Sequence, residues 1–107
     1  MTNNQIDAIL AERGKRYGKF EDHAKISQSL QAVMRHANSR WDKMQPDQRE
    51  ALEMIAHKIA RILNGDPDYL DNWIDIAGYA QLVADRIKAG SRNRNAFDIV
   101  WVGPTVE

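Results

Sequence analysis

The sequence predicts an all-α protein: a bundle of about four helices around one antiparallel helix hairpin, followed by an extended C-terminal tail. Apolar residues recur every three or four positions over most of the chain, which is the period of an amphipathic helix. The letters NGDP at 64–67 combine a helix stop with a helix start. A chain of 107 residues fits one domain with one modest core. We divide it into a helical domain, 1–90, and a tail, 91–107.

The first two predicted helices are joined by a segment that contains glycine. Apolar residues from Ile6 onward follow helical spacing and predict a short helix over about 4–13. The segment RGKRYGKF (13–20) then interrupts the pattern. A second helix is predicted to begin at Glu21 or Asp22, because acids suit the positive end of a helix dipole. Its apolar stripe, expected to face the core, consists of Ile26, Leu30, Val33 and Ala37.

The third and fourth helices form the predicted hairpin. Pro46 suits the first turn of helix three, and Gly65 ends that helix, since glycine accepts a left-handed backbone. The pair Asp66-Pro67 predicts the start of helix four, which runs to about Lys88. Because the turn between them is tight, the two helices should be antiparallel. The predicted apolar faces are Leu52, Ile55, Ile59, Ile62 and Leu63 on helix three, and Trp73, Ile76, Ala80, Val83 and Ile87 on helix four.

The tail differs from the helices in composition. Its apolar residues between Phe97 and Val102 are typical of a strand. A single strand is not stable by itself. We therefore expect the tail to pack on the helices, to pair with another copy of the chain, or to be loosely ordered.

Composition argues against several classes of protein. The 15 basic and 15 acidic residues balance, so bulk attraction to nucleic acid or to anionic membranes is not expected. The absence of cysteine excludes disulfides and thiolate metal sites, and it fits a reducing compartment. No signal peptide is recognisable, and no stretch approaches the roughly 18 apolar residues of a membrane span. We expect a cytoplasmic protein without a membrane or nucleic-acid partner.

Helix three carries a charged stripe. Glu50, Glu53, His57 and Arg61 fall on one side of a helix that turns about 100° per residue. Stripes of this kind usually face solvent, where pairs at i, i+4 contribute about 0.2–0.5 kcal/mol each. Periodicity by itself therefore favours a solvated face.

Helix four carries acids on a less ordinary side. Asp71 and Asp75 share a stripe with Gly78 and Leu82, and Tyr79 flanks it. A glycine inside a helix costs about 1 kcal/mol relative to alanine, so we expect another helix or a ligand to approach closely there. Partly enclosed carboxylates need cations, and acids of this kind suit Mg²⁺, which prefers hard oxygen ligands. The alternative is a salt-bridge network with Lys58, Arg61 and Arg86.

These motifs resemble those of a known superfamily. The all-alpha NTP pyrophosphatases, or MazG-like proteins, carry Glu-x-x-Glu on one helix and Glu-x-x-Asp on the next. Here EALE supplies Glu50 and Glu53, while NWID supplies Asp75 and has Asn72 where that family has Glu. KIAR followed by DIAGYA, together with RYGKFEDH (16–23), resembles the phage nucleotide modification associated domains. The chain is also similar to small phage and prophage proteins.

The resemblance implies an oligomeric helical enzyme that hydrolyses a nucleoside triphosphate to monophosphate and pyrophosphate with Mg²⁺, in the host cytoplasm if the protein is phage-encoded. It implies Glu53 and Asp75 as the catalytic carboxylates. The implied metal ligands are Glu50, Glu53, Asp71 and Asp75, with Asp71 replacing the missing Glu. The implied substrate-binding residues are Lys58, Arg61 and Arg16 for phosphate, and Tyr17 and Tyr79 for the base or sugar.

Two other functions stay open. Arg61 among the acids and Asn72 in the motif favour a non-catalytic nucleotide-binding phage protein. The apolar tail favours a structural helical oligomer of a phage or prophage. The segment RGKRYGKF could cradle phosphate and stack a base on Tyr17, or it could be a flexible connector. The three histidines, His23, His36 and His57, lack metal-ligand spacing and are expected at the surface or at helix ends.

Overall fold

A computed structural model describes the backbone of residues 2–94 and the side chains of residues 2–90. Within this range the chain forms four α-helices and a short 3₁₀ helix, so the prediction of an all-α bundle is confirmed. The helices are α1 (Asn3–Tyr17), α2 (Phe20–Met34), α3 (Pro46–Asn64) and α4 (Leu70–Arg94), and the 3₁₀ helix spans Trp41–Lys43. Helix α3 contacts each of the other three α-helices and forms the centre of the bundle. The predicted strand-like segment lies outside the described residues.

Three helix boundaries differ from the predicted ones. Helix α1 continues through Gly14 to Tyr17, so most of the expected connector 13–20 is helical. Helix α4 begins at Leu70, because Asp66 uses its carboxylate to accept the backbone N–H of Asp68 in a turn. It also continues to Arg94, past the predicted end near residue 88. The bounds of α3 agree with the prediction.

The surface of α2 that faces α3 is polar. Its buried residues are His23, Ser27 and Gln31, whereas Val33 in the predicted apolar stripe is 73% exposed. The predicted apolar stripe is thus only partly covered: Ile26 and Leu30 are half-buried, whereas Val33 and Ala37 are exposed. The polar side chains can be buried because they form hydrogen bonds with one another across the two helices.

The central helix is buried through small residues. Its buried apolar positions are Ala51, Ala56 and Ala60, and Trp41 of the 3₁₀ helix is the large buried apolar side chain of the described region. Leucines of the predicted apolar face, Leu52 and Leu63, are exposed. Because these buried alanines fill little volume, long polar side chains of the neighbouring helices can pack against α3 beside them.

Helix α4 turns a mixed face to the bundle. The buried and half-buried residues of this face are Asn72, Asp75, Ile76, Tyr79 and Val83. Trp73 and Ile87, predicted to lie on the core face, are exposed. The face tolerates Asp75 because the ammonium group of Lys58 on α3 lies 3.0 Å from its carboxylate. A Cβ added at Gly78 would meet no atom within 4 Å, so nothing in the described part of the chain accounts for this glycine.

Large apolar side chains remain exposed on the outer side of α4. They are Leu70, Trp73, Ile74 and Leu82. A homo-oligomer would cover such a surface, and the oligomer stays a prediction. No helix within residues 2–94 carries an apolar stretch long enough to cross a bilayer.

The end of α1 is joined to the α3–α4 turn through direct backbone contact. The side-chain amide of Asn64 donates to the carbonyl oxygens of Tyr17 and Lys19, at 2.8 and 2.9 Å. The N–H of Asp66 donates to the carbonyl oxygen of Arg16 at 2.7 Å. Gly18 has φ 76° and ψ −168°, a conformation that is essentially restricted to glycine. A Cβ at Gly18 would overlap Asn64, and one at Gly65 would overlap the backbone of Arg16 and Tyr17.

We expect the substitution Gly18→Ala to lower the free energy of unfolding by about 3 kcal/mol or more, because backbone strain adds to a steric overlap. Gly65→Ala should also lower the free energy of unfolding, because its Cβ would overlap the backbone of Arg16 and Tyr17. Gly14→Ala is the matched control in the same helix: a Cβ there meets no atom within 4 Å, so we expect a gain of up to about 1 kcal/mol. Urea unfolding followed by circular dichroism measures all three. Equal stability of the Gly18→Ala and Gly14→Ala variants would contradict the close contact between Gly18 and the α3–α4 turn.

Candidate functional site

A continuous chain of hydrogen bonds runs between α2 and α3. It begins at the carboxylate of Glu53, which accepts from the guanidinium group of Arg35 at 2.7 Å. That guanidinium lies over the ring of Trp41, 5.2 Å from its centroid. Arg35 also donates to Oε1 of Gln31 at 3.1 Å. Because arginine can only donate, this contact fixes the orientation of the buried Gln31 amide.

The direction of the remaining hydrogen bonds follows from that orientation. The Nε2 amide of Gln31 donates to Oγ of Ser27 at 2.9 Å. The Ser27 hydroxyl is then free to donate to Nδ1 of His57, 3.3 Å away. In the tautomer that continues this direction, Nδ1 of His57 accepts and its proton is at Nε2. In that tautomer Nε2 of His23, 3.3 Å from the same Nδ1, is the donor in their contact.

His23 is buried in this chain next to positive charge. It is 7% exposed, and its ring stacks on that of His57 with a centroid distance of 5.6 Å. Burial lowers the pKa of His23 below its ordinary value of 6.5, and the nearby His57 and Arg61 lower it further. Both histidines were expected at the surface or at helix ends. His23 lies in the first turn of α2, at a helix end, but it is buried, because the polar chain provides hydrogen bonds for its imidazole. His57 lies half-buried in the middle of α3, where it was not expected.

Aromatic rings and guanidinium groups alternate at the end of α1. The ring of Tyr17 has the guanidinium carbon of Arg61 at 4.5 Å from its centroid and that of Arg13 at 5.3 Å. Tyr69 meets Tyr17 edge to face at 6.1 Å. Arg16 lies over the Tyr69 ring at 4.8 Å and donates to its hydroxyl at 2.8 Å. Cation–π contacts of this kind hold a guanidinium group in place while its N–H groups stay available.

A cleft of 420 Å³ opens beside Tyr17. This volume lies within the usual range of about 300–1,000 Å³ for small-molecule sites. Its lining consists of Leu10, Arg13, Gly14, Tyr17, Gly18, Lys19, Phe20, His23 and Arg61. The charged side chains in this lining are all basic. Neither Arg13, Lys19 nor Arg61 forms an ion pair with any residue that the structure describes.

The predicted metal ligands do not converge within one chain. Glu53 is engaged by Arg35, and Asp75 by Lys58. Asp71 accepts from the hydroxyl of Tyr69 at 2.9 Å, and Glu50 lines a separate groove beside Tyr79. Among the described residues there is no group of three or more His, Asp or Glu side chains placed to hold a metal ion. Within the described part of one chain these carboxylates are therefore not grouped as a metal site, and the Mg²⁺ site that the resemblance implies stays a prediction.

The predicted substrate-binding residues fall into two groups. Tyr17 and Arg61 line the basic cleft, and Arg16 lies next to it on Tyr69. Lys58 is buried against Asp75, and Tyr79 lines grooves on the α4 side. Asn72 is 1% exposed, and its amide nitrogen has no hydrogen-bond partner among the described residues.

Residues 3–87 match the family model of a domain of unknown function, DUF6378. The chain belongs to the DUF6378 family. A search of curated proteins and a search of solved structures each found no match.

Several functional candidates in this DUF6378 domain were missed from the sequence. They are His23, Ser27, Gln31 and Tyr69. Arg13, Lys19 and Phe20 belong to the segment RGKRYGKF, for which the sequence left a phosphate cradle and a connector both open, and they line the cleft. One feature of the sequence could have indicated the polar chain. Polar residues recur every four positions from His23 to Arg35 on α2 and from Glu53 to Arg61 on α3, so each helix carries a matching polar stripe.

We expect the substitution Gln31→Leu to lower the free energy of unfolding by about 1–3 kcal/mol, because it removes the donor to Ser27 and the acceptor for Arg35 inside the DUF6378 bundle. Gln28→Leu on the exposed side of α2 is the control and should change it by no more than about 0.5 kcal/mol. Chemical denaturation measures both. Equal effects of the two substitutions would contradict a structural role for the chain.

Proposed function

We propose that this protein binds a nucleotide in the basic cleft beside Tyr17. The observation that carries the proposal is one cleft lined by three cations, none paired with a carboxylate among the described residues, two of which lie over the ring of Tyr17. Exposed surface cations are ordinarily solvated and mobile. Here the guanidinium groups of Arg13 and Arg61 both lie against the ring of Tyr17, so less conformational entropy is lost when an anion binds.

The guanidinium groups suit the phosphates of such a ligand. Arginine presents planar N–H pairs that match two phosphate oxygens, and these charge-assisted hydrogen bonds are stronger than neutral ones. Arg61 comes from α3 and Arg13 from α1, while Lys19 lies between α1 and α2. A polyphosphate would therefore be held by three separate parts of the fold.

The aromatic side of the cleft suits the base. Phe20 is 81% exposed although it is a large apolar ring, and its inner edge stacks on His23 at 5.8 Å. A planar base can stack on such a ring, with a typical contribution of about 1–3 kcal/mol. This exposed ring next to unpaired cations favours a nucleotide over inorganic phosphate alone.

Binding without turnover accounts for the carboxylates better than hydrolysis does. The two acids that the resemblance implies as catalytic, Glu53 and Asp75, each form an ion pair with a cation of the same chain. A carboxylate held by Arg35 or Lys58 has its charge compensated and does not attract a divalent ion strongly.

We expect titration calorimetry with dATP, dGTP, dCTP and dTTP to detect binding of at least one of them. Arg61→Gln should weaken the affinity by at least about tenfold, since charge-assisted hydrogen bonds contribute about 1.5–3 kcal/mol. Arg40→Gln, at an exposed arginine outside the cleft, should leave it unchanged. Absence of binding to all four, or equal effects of the two substitutions, would refute the proposal.

Hydrolysis is a second candidate, favoured by one observation. Tyr79 lines a groove with Glu50 of α3 and another with Asp75 of α4, so carboxylates of both hairpin helices flank one aromatic ring. This is the arrangement of acids that a MazG-like pyrophosphohydrolase would use in part.

We expect no release of pyrophosphate when the protein is incubated with the four dNTPs and Mg²⁺. Release that is abolished by Asp75→Asn and by Glu50→Gln, but retained by Asp42→Asn on the 3₁₀ helix, would establish the hydrolase instead. A coupled pyrophosphate assay distinguishes the two functions, because it responds to turnover and not to binding.

A further inference from the structure

The basic cleft contains a group that can exchange a proton with solvent, His23. It lines the cleft, and its Nε2 lies 3.3 Å from Nδ1 of His57. Its other ring nitrogen, Nδ1, forms no hydrogen bond with the described residues. In the tautomer in which Nδ1 of His57 accepts from Ser27 and His23, Nδ1 of His23 is the nitrogen of this pair that can take up a proton.

The charges that face His23 are all positive. Arg13 of α1, Lys19 before α2 and Arg61 of α3 line the same cleft, and His57 stacks against its ring. No carboxylate is present among the described residues that line the cleft. A protonated His23 is therefore disfavoured in the free protein, and the burial and charges that lower its pKa act in this direction.

A bound phosphate group would reverse this balance. Its negative charge lies among the same cations and favours the charged form of the imidazole. We propose that His23 takes up a proton when a nucleotide enters the cleft, so that phosphate binding is coupled to protonation of this histidine and is tighter in mildly acidic solution. This inference rests on the proposed function and adds a pH-dependent contact to it.

The direction of the pH dependence of affinity follows from the pKa of His23 in the free protein and in the complex. In the free protein the pKa of His23 lies below 6.5, and in the complex the anion raises it. The contribution of His23 to affinity is greatest below the pKa of the free protein, and it declines as pH rises through the pKa of the complex. A rise of one pKa unit on binding corresponds to about a tenfold difference in affinity between the acidic and the alkaline limits.

The test uses the full chain with inorganic triphosphate and with dATP as probes, at about pH 6 and about pH 8. Wild-type protein should show a larger ratio of affinities between the two pH values than the His23→Gln variant, by about threefold to sixfold for a rise of one pKa unit, since pH 6 is not at the acidic limit. Protonation of the probe changes the affinity of both proteins by the same factor, so it cancels when their ratios are compared. Glutamine can still donate to His57, and circular dichroism checks that the variant is folded. His36→Gln, at an exposed histidine outside the cleft, should retain the wild-type ratio.

Nuclear magnetic resonance of the histidine ring carbons gives a direct readout. The His23 resonance should titrate at higher pH with triphosphate present than without it, while that of His36 stays unchanged. Binding of both probes with equal pH dependence in wild type and His23→Gln, or a His23 pKa that the probe does not raise, overturns this inference and leaves nucleotide binding intact. Absence of binding at either pH overturns the proposed function and this inference together.

Discussion

The backbone contact between Gly18 and the α3–α4 turn is the constraint on which the rest of the arrangement depends. The side-chain amide of Asn64 donates to two carbonyl oxygens near the end of α1. Gly65 has no side chain, so the α3–α4 turn can contact the α1 backbone directly. The contact fixes where α1 ends and where α2 begins. Tyr17 ends α1 at this contact, and its ring lies against Arg61 in the wall of the cleft.

A polar interface between α2 and α3 follows from that placement. Apolar packing tolerates several rotational settings of a helix, whereas a directional chain from Glu53 through Arg35, Gln31 and Ser27 to His57 is satisfied in one setting. A partly satisfied chain would be costly, since buried polar groups without partners lose their hydration. The chain thus sets the rotation of α2, and it is the reason why His23 reaches the cleft while Val33 faces outward.

Sequence reasoning succeeded where local chemistry decides the outcome. The start of α3 follows from Pro46, and the hairpin follows from the short turn. Helix α3 ends before Gly65 as predicted, but the expected left-handed backbone is wrong: φ is −132°, and the glycine is needed because the backbone of Arg16 and Tyr17 approaches it. Sequence reasoning failed where pairing between helices decides which face is buried. Leu52 and Trp73 are large apolar residues of the kind usually found in a core, yet both are exposed. The buried residues of these helices include Ala56, Ala60 and Asn72 instead. Of the candidate site, Tyr17 and Arg61 were predicted together in outline, but His23 was not, because its partner lies 34 positions away in the sequence.

The same pairing changes what the charged residues can do. A motif identifies acids by their spacing, but chemistry depends on which charges are already compensated. Asp75 has Lys58 and Glu53 has Arg35, so their charges stabilise the fold. Arg61 and Arg13 have an aromatic ring instead, which orients a guanidinium group without neutralising it. An incoming anion gains a full interaction with these arginines, whereas an incoming cation would compete with ion pairs that already exist. The balance of charge in the described bundle therefore favours a phosphate-bearing ligand at the α1 end over a metal ion between α3 and α4.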